Sequence, residues 1–142
     1  RFTKFGYEEG YPEAIVLDII QDGTGFIWIA TADGLFRYNG YEFTEYRVNT
    51  KSNGGLQSNV VFSIAAVDQV LYITSNELAA WTELDLRTEE IRHRTRREAG
   101  IPTNYVRQFY RDQKDRLWMA SDRGLLMKPP AACAARSQRI NV

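Results

Sequence analysis

The chain has 142 residues, of which 44% are hydrophobic and 25% charged, and this is the composition of one globular domain rather than a disordered segment. Its 18 basic and 18 acidic side chains cancel, so the net charge indicates neither nucleic acid nor an anionic membrane as a partner. The single cysteine, Cys133, excludes an intrachain disulfide and a cysteine-based metal cluster. No apolar run approaches the roughly 18 residues that a membrane-spanning helix needs.

The first unit of the chain, near residues 10–54, is predicted to contain four strands. An aromatic share of 13% favours strands. Gly23 and Gly25 fit a hairpin turn better than a phosphate loop, because a strand rather than a helix follows them. Gly34 marks a second turn, and the pair Asn39 and Gly40 marks a third. The predicted strands lie at 15–21, 26–31, 35–38 and 41–47.

The same pattern returns every 45 residues along the chain. The segment 55–61 reappears at 100–106, and five residues of the first unit reappear 90 positions later. These five are Asp22, Trp28, Ala30, Gly34 and Leu35, which correspond to Asp112, Trp118, Ala120, Gly124 and Leu125. The second unit is a degenerate copy. Its charged end at 87–98 is interpreted as an outer strand and a loop, with a short helix as the alternative.

Four short antiparallel strands that recur at this interval are typical of β-propeller blades. A β-sandwich is the competing fold, but sandwiches do not repeat their turn residues at a fixed spacing. We therefore predict an all-β chain, a β-propeller fragment of about three four-stranded blades. The blades are expected near 10–54, 55–99 and 100–128.

The strand count predicts an incomplete ring. Residues 2–5 resemble the outer strand at 43–46, so 1–9 are interpreted as an orphan outer strand. The third blade lacks such a strand, because Pro129 and Pro130 end it at residue 128 and leave 129–142 as a tail. Propellers close with about four to eight blades. Either two chains assemble head to tail as a homodimer with six blades, or the missing blades belong to a longer chain.

No residue pattern points to catalysis, a metal or a cofactor. Asp22, Asp33, Asp112 and Asp122 flank turns, where carboxylates accept backbone N–H groups, and a catalytic pair among them is the lesser alternative. His93 is the one histidine, and it lacks the companions that a metal site or a catalytic triad needs. No ligand-binding residue can be named from the sequence, although loops at propeller faces are the expected place for one.

The two repeated tryptophans and the arginine-rich segment have competing interpretations. Trp28 and Trp118 lie mid-strand in a position that the blades repeat, which favours packing between blades over stacking on a sugar ring. The arginines within 92–97 are interpreted as a solvated edge, and contact with an acidic sugar is the alternative.

The first unit closely resembles the two-component regulator propeller repeat. The residues that carry the resemblance are Val16, Ile19, Asp22, Gly25, the run 28–31, Gly34, Leu35, Arg37 and the run 38–40. The linking element at 55–61 matches as well, and the second unit matches poorly. The third unit is a partial match, in which Asp115 replaces the turn glycine and Ser121 the threonine.

The resemblance implies a non-catalytic, ligand-binding segment from the periplasmic sensor region of a hybrid two-component histidine kinase. Ligands in that family are typically carbohydrate breakdown products, so an oligosaccharide is the implied ligand. The chain itself contains no kinase part and no membrane contact is expected of it. A piece of a propeller enzyme similar to streptogramin lyase and a protein-interaction scaffold are the alternatives, and no histidine constellation supports the former.

Overall fold

The computed structural model describes residues 1–11, 13–48, 55–75 and 79–131. Cys133 and most of the predicted tail lie outside these residues. The described strands, in chain order, are β1 Val16–Gln21, β2 Ile27–Thr31, β3 Gly34–Tyr38, β4 Phe43–Tyr46, β5 Val61–Val67, β6 Val70–Ser75, β7 Trp81–Asp85, β8 Ile91–Arg94, β9 Val106–Arg111, β10 Leu117–Ser121 and β11 Gly124–Lys128.

These strands form three antiparallel sheets in which sequence neighbours pair. Blade one is β1 to β4 and blade two is β5 to β8, while the described part of blade three holds the three strands β9 to β11. The predicted all-β propeller blades are therefore confirmed. The strands agree with the sequence pattern because alternating side chains pack on two faces of each sheet.

Each innermost strand carries a β-bulge at the same point of the repeat. Val16 pairs with Thr31 and Asp18 with Ala30, so Leu17 has no partner in β2. The same register shift leaves out Phe62 in β5 and Arg107 in β9. A bulge re-aims the residues beside it, and here the residue after each bulge is a polar one.

These polar residues join the inner strands to one another. The carboxylate of Asp18 accepts hydrogen bonds from the Ile64 backbone N–H at 2.9 Å and from the Ser63 hydroxyl at 3.1 Å. The Ser63 oxygen in turn accepts from the Phe109 backbone N–H at 3.0 Å. Both backbone contacts span 46 residues, so the same type of hydrogen bond connects blade one to blade two and blade two to blade three.

Two apolar layers fill the spaces between the blades. Between blades one and two, the layer contains Trp28, Ala30, Leu35, Tyr46, Leu56, Val61, Ile64, Ala66, Leu71, Ile73 and Leu84. Between blades two and three, it contains Ala65, Val67, Tyr72, Ala80, Trp81, Val106, Phe109, Leu117 and Met119. Burial of these faces is the main force that holds the blades together.

Trp28 packs between two blades, as predicted. Trp118, for which the same packing was predicted, does not lie between two blades in the described chain. Trp28 is 1% exposed. Trp118 is only half-buried, because blade three is followed by no further blade in the described chain. Its neighbour Leu125 is 69% exposed, whereas the corresponding Leu35 is fully buried.

The structure differs from the strand predictions in two segments, 1–6 and 87–98. Residues 1–6 belong to no strand in the single chain, and the Phe5 ring instead packs against Tyr38 and Phe43 of blade one. A strand needs a ladder partner, and contacts between aromatic rings hold Phe5 where no such partner is supplied. In the charged segment 87–98, both interpretations hold in succession, because β8 is followed by the one-turn helix α1, Arg96–Ala99.

Candidate functional site

The first hairpin turn of blade one is organised by one carboxylate. One oxygen of Asp22 accepts hydrogen bonds from the backbone N–H groups of Thr24 at 2.9 Å and Phe26 at 3.0 Å, and from the Thr24 hydroxyl at 2.7 Å. The other accepts from the Trp28 indole N–H at 2.8 Å. Burial alone would raise the pKa of Asp22, but these hydrogen bonds outweigh it and lower the pKa.

Blade three repeats this turn with different residues. Asp112 accepts from the backbone N–H groups of Lys114 at 2.9 Å and Arg116 at 3.0 Å, and from the Trp118 indole at 2.8 Å. The Trp118 hydrogen bond is the main cause that holds the pKa of Asp112 well below its usual range. Asp115 takes the place of the turn glycine and adopts the left-handed conformation, with φ of 58°. The predicted turn roles of both aspartates are confirmed in this geometry.

Blade two closes the corresponding hairpin with two residues. Asp68 and Gln69 have φ of 50° and 64°, the conformation of a tight two-residue hairpin turn. Tyr72 stands where the other blades have tryptophan, and its hydroxyl accepts a hydrogen bond from the Lys128 ammonium at 2.7 Å.

A cleft of about 280 Å³ lies where the first hairpin turns of the three blades meet. Its apolar lining comes from Phe26, Trp28, Ala66, Val67 and Leu86. Its polar lining comes from Asp22, Gly23, Thr24, Arg37, Asp68, Gln69, Arg111 and Asp115. This combination of an apolar floor and a few polar groups is typical of small-molecule binding sites.

Arg37 is one of the two arginines that line the cleft. Its guanidinium lies 5.0 Å from the centroid of the Phe26 ring and 5.8 Å from that of Trp28, within cation–π range. It also lies 4.0 Å from the Glu89 carboxylate of blade two. The Tyr46 hydroxyl donates to the same carboxylate at 3.0 Å, and burial is the main cause that raises the pKa of Tyr46 to about 12. Arg37 and Tyr46 thus connect blade one to blade two beside the cleft.

The arrangement is suited to binding rather than to proton transfer. Asp22 is committed to turn and indole hydrogen bonds, and its lowered pKa keeps it ionised at neutral pH. Asp115 accepts a hydrogen bond from Arg111 at 2.7 Å. Asp68 and Gln69 are exposed, and they leave a carboxylate and an amide facing solvent at the rim. The cleft therefore offers hydrogen-bond donors and acceptors around an apolar floor.

Other residues singled out in the sequence lie away from the cleft. Asp33 pairs with Arg47, with N–O distances of 2.6 and 3.1 Å, and Asp122 accepts a hydrogen bond from the Thr103 hydroxyl. The His93 ring contacts the Thr82 hydroxyl at 2.9 Å, and burial lowers its pKa. Within 1–11, 13–48, 55–75 and 79–131, no cluster of three His, Cys, Asp or Glu side chains could hold a metal ion.

Sequence reasoning did not single out Phe26 or Gln69 as site residues. Gln69 lies in the degenerate second unit, where a two-residue turn replaces the glycine turn, so no repeat residue identifies its position. Arg37 was part of the repeat pattern, but a pattern on one strand does not reveal a cleft that three blades form together.

Comparison with known proteins assigns the repeat. Residues 100–123 match the family described as two component regulator propeller. A histidine kinase P4 of Formosa agariphila is 36% identical over 52 residues, which are 37% of this chain and 4% of that protein. No helix among the described residues has both the length and the apolar character to cross a membrane.

The fold has a counterpart among the solved extracellular domains of bacterial proteins. The extracellular domain of a hybrid two component system from B. thetaiotaomicron has a TM-score of 0.74 and 22% identity, over 92% of this chain and 19% of that domain. The extracellular domain of a one component system from the same bacterium has a TM-score of 0.47 and 18% identity, over 86% of this chain and 21% of that domain. The chain spans about a fifth of the length of these solved domains. The resemblance seen in the sequence is confirmed at residues 100–123, which match the two component regulator propeller repeat, and the three sheets have the arrangement of propeller blades.

Proposed function

We propose that the chain is a non-catalytic, ligand-binding segment of the extracytoplasmic sensor region of a two-component signalling protein, in the periplasm. The observation that carries the proposal is the regulator propeller repeat at 100–123, together with a fold shared with the extracellular domain of a hybrid two component system. The kinase activity in the name of the Formosa agariphila protein would then belong to another part of the signalling protein.

We further propose that the ligand is a carbohydrate breakdown product and that it binds in the cleft at the hairpin turns. The cleft has about 280 Å³, near the lower end of the usual range for ligand pockets, which suits one or two sugar rings. Sugar hydroxyls need several donors and acceptors, and Arg37, Asp68 and Gln69 supply both kinds. The Phe26 ring supplies an apolar surface for the C–H groups of a sugar.

Isothermal titration calorimetry on the 142-residue chain tests this proposal. The probes are neutral and acidic saccharides of one to four rings, with nucleotides and amino acids as contrasting ligands. At least one saccharide is expected to bind, and Gln69→Ala is expected to weaken that binding about tenfold, the value of one well-made hydrogen bond. Binding of nucleotides or amino acids alone would contradict a carbohydrate ligand.

The matched control is Gln113→Ala. Gln113 is an exposed glutamine in the corresponding turn of blade three, and it does not line the cleft. This variant is expected to bind the saccharide like the unaltered chain. Equal affinity in both variants would show that the cleft is not the site, and the absence of binding by any saccharide would overturn the proposed ligand class.

A further inference from the structure

Both arginines that line the cleft are already paired with carboxylates of the chain. The guanidinium of Arg37 lies 4.0 Å from the Glu89 carboxylate and also packs on the rings of blade one. The guanidinium of Arg111 lies 2.6 Å from the Asp115 carboxylate. An anionic ligand would therefore have to compete with a carboxylate that is in place before the ligand arrives.

The aspartates of the cleft differ in how far they are committed. Asp22 accepts hydrogen bonds from the Thr24 and Phe26 backbone and from the Trp28 indole, and Asp115 accepts from Arg111. Asp68 is exposed at the rim, and its carboxylate has neither a hydrogen bond nor an ion pair with any residue that the structure describes. Asp68 is thus the charge that a ligand meets unscreened by a partner.

The turn that presents Asp68 holds a second polar side chain at a position that favours glycine. Hairpins with two left-handed residues prefer glycine, asparagine or aspartate there. Gln69 has φ of 64°, so its Cβ carries a steric cost that glycine would not. A side chain kept in such a conformation beside a cleft is a reason to assign it a function. The turn therefore presents a carboxylate and an amide side by side.

The chemistry of these two groups fits hydroxyls. An ionised carboxylate only accepts hydrogen bonds, and its two oxygens can accept from two adjacent hydroxyls of one sugar ring. The Gln69 amide can both donate to and accept from a further hydroxyl. A carboxylate or sulfate on the sugar would instead bring a negative charge next to that of Asp68, and like charges at this range repel.

The balance of charge around the cleft acts in the same direction. The lining contains three aspartates against two arginines, so it is negative at neutral pH. The arginines within 92–97, for which contact with an acidic sugar was the alternative interpretation, do not line the cleft. Of these, Arg94 is paired with Glu83, and Arg92 lies 3.9 Å from Glu90.

We propose that the cleft binds saccharides that carry no acidic group, and that Asp68 sets this selectivity. It accepts hydrogen bonds from the ligand hydroxyls and repels carboxylates and sulfates at the same place. The selectivity rests on the proposed carbohydrate function, because it concerns the ligand of the same cleft.

Isothermal titration calorimetry with matched pairs of ligands tests the proposal. Each pair consists of a glucose or galactose saccharide and the uronic acid of the same length and linkage. The unaltered chain is expected to bind the neutral member at least about tenfold more tightly, as one unfavourable charge contact at a partly solvated site requires. Raising the salt concentration from about 0.01 M to about 0.15 M, which shortens the Debye length from about 30 Å to about 8 Å, should narrow this ratio.

Asp68→Asn removes the charge and keeps the shape of the side chain. Asparagine also tolerates the left-handed conformation, so the turn is expected to stay folded, which thermal unfolding verifies. In this variant the neutral saccharide should bind more weakly and the uronic acid no more weakly than before, so that their affinities become nearly equal. The control is Glu42→Gln, which also removes one negative charge. Glu42 is exposed in the hairpin between β3 and β4 and does not line the cleft, so the ratio should stay as it was.

The possible failures can be told apart. If the uronic acids bind the unaltered chain as tightly as the neutral saccharides, the selectivity is wrong although a carbohydrate ligand stands. If Asp68→Asn leaves the ratio unchanged, or Glu42→Gln changes it equally, Asp68 does not set the selectivity. If no saccharide of either kind binds, the proposed ligand class and the selectivity are both overturned.

Discussion

Asp22 and Trp28 are joined by a 2.8 Å hydrogen bond from the indole N–H to the carboxylate, and Asp112 and Trp118 repeat it at 2.8 Å in blade three. The bond explains why the two residues recur together, six positions apart. The carboxylate that organises the turn also anchors the ring that fills the space between blades, so the turn and the apolar layer are fixed by one side chain.

Asp22→Asn is expected to destabilise the chain by about 2–3 kcal/mol, because an amide cannot accept on both sides and one buried donor loses its partner. Asp112→Asn is the matched change in blade three. It should cost clearly less, because water reaches the half-buried Trp118. Urea unfolding of the two variants measures the difference. Equal losses would contradict the role of burial.

The stability of the chain is expected to fall in acid. The pKa values of Asp22 and Asp112 are lower in the folded chain than in the unfolded one, so the unfolded chain takes up protons first as the pH drops. The stabilisation by these groups is fully present above about pH 4, the ordinary pKa of aspartate, and it is lost as the pH falls toward their folded values.

Urea unfolding at a series of pH values between 2 and 7 (roughly the span over which carboxyl groups titrate) tests this expectation. The Asp22→Asn, Asp112→Asn double variant should show a shallower decline below pH 4. It should not abolish the decline, because turn N–H groups lower the pKa of Asp85 as well, and Arg47 lowers that of Asp33. An unchanged slope would count against the assignment.

A comparison of Gly34→Ala with Gly124→Ala separates the cost of backbone strain from the cost of a steric clash. Gly34 has φ of 114°, and an added Cβ would lie 3.3 Å from the Tyr46 carbonyl oxygen. Gly124 has φ of 105° with open space around it. Gly124→Ala should cost about 1–2 kcal/mol from strain alone, and Gly34→Ala should cost clearly more. Gly23→Ala, without a positive φ or a close atom, should be nearly neutral in thermal unfolding.

Ser63→Ala tests the connection between inner strands. The substitution leaves the Phe109 N–H without its acceptor in the buried space between blades two and three, and it should destabilise the chain by about 1–3 kcal/mol. Gln108→Ala changes the equivalent position of blade three and should leave the unfolding of a single chain unaltered when measured in dilute solution. A loss of similar size in both variants would contradict the assigned role of Ser63.

The blades could be predicted from the sequence because their turns carry strong local signals. Asn39 and Gly40 lie between β3 and β4, and Gly34 has the positive φ that its turn requires. Blade three keeps the same turn hydrogen bond where its sequence departs from the repeat. The Ser121 hydroxyl donates to the Gly124 carbonyl at 2.7 Å, as the Thr31 hydroxyl does to that of Gly34 at 2.8 Å.

The cleft and the connections between blades could not be predicted, because they depend on positions brought together by three separate sheets. Asp18, Ser63 and Gln108 share a place in the repeat but not a residue type, so a search for identical residues does not find them. Gln69 became a site residue only because blade two shortened its turn. The different exposure of Trp28 and Trp118 depends on what lies beyond each blade, and the residues themselves are identical.

The bulges at Leu17, Phe62 and Arg107 have a consequence for the evolution of such chains. Because each blade presents the same contact geometry to the next at a constant interval, a gene duplication or deletion of one whole 45-residue unit keeps the register in which the remaining inner strands meet. An insertion of any other length inside an inner strand shifts the bulge and removes the bond. The number of blades can therefore change by recombination of whole units without a shift of this register.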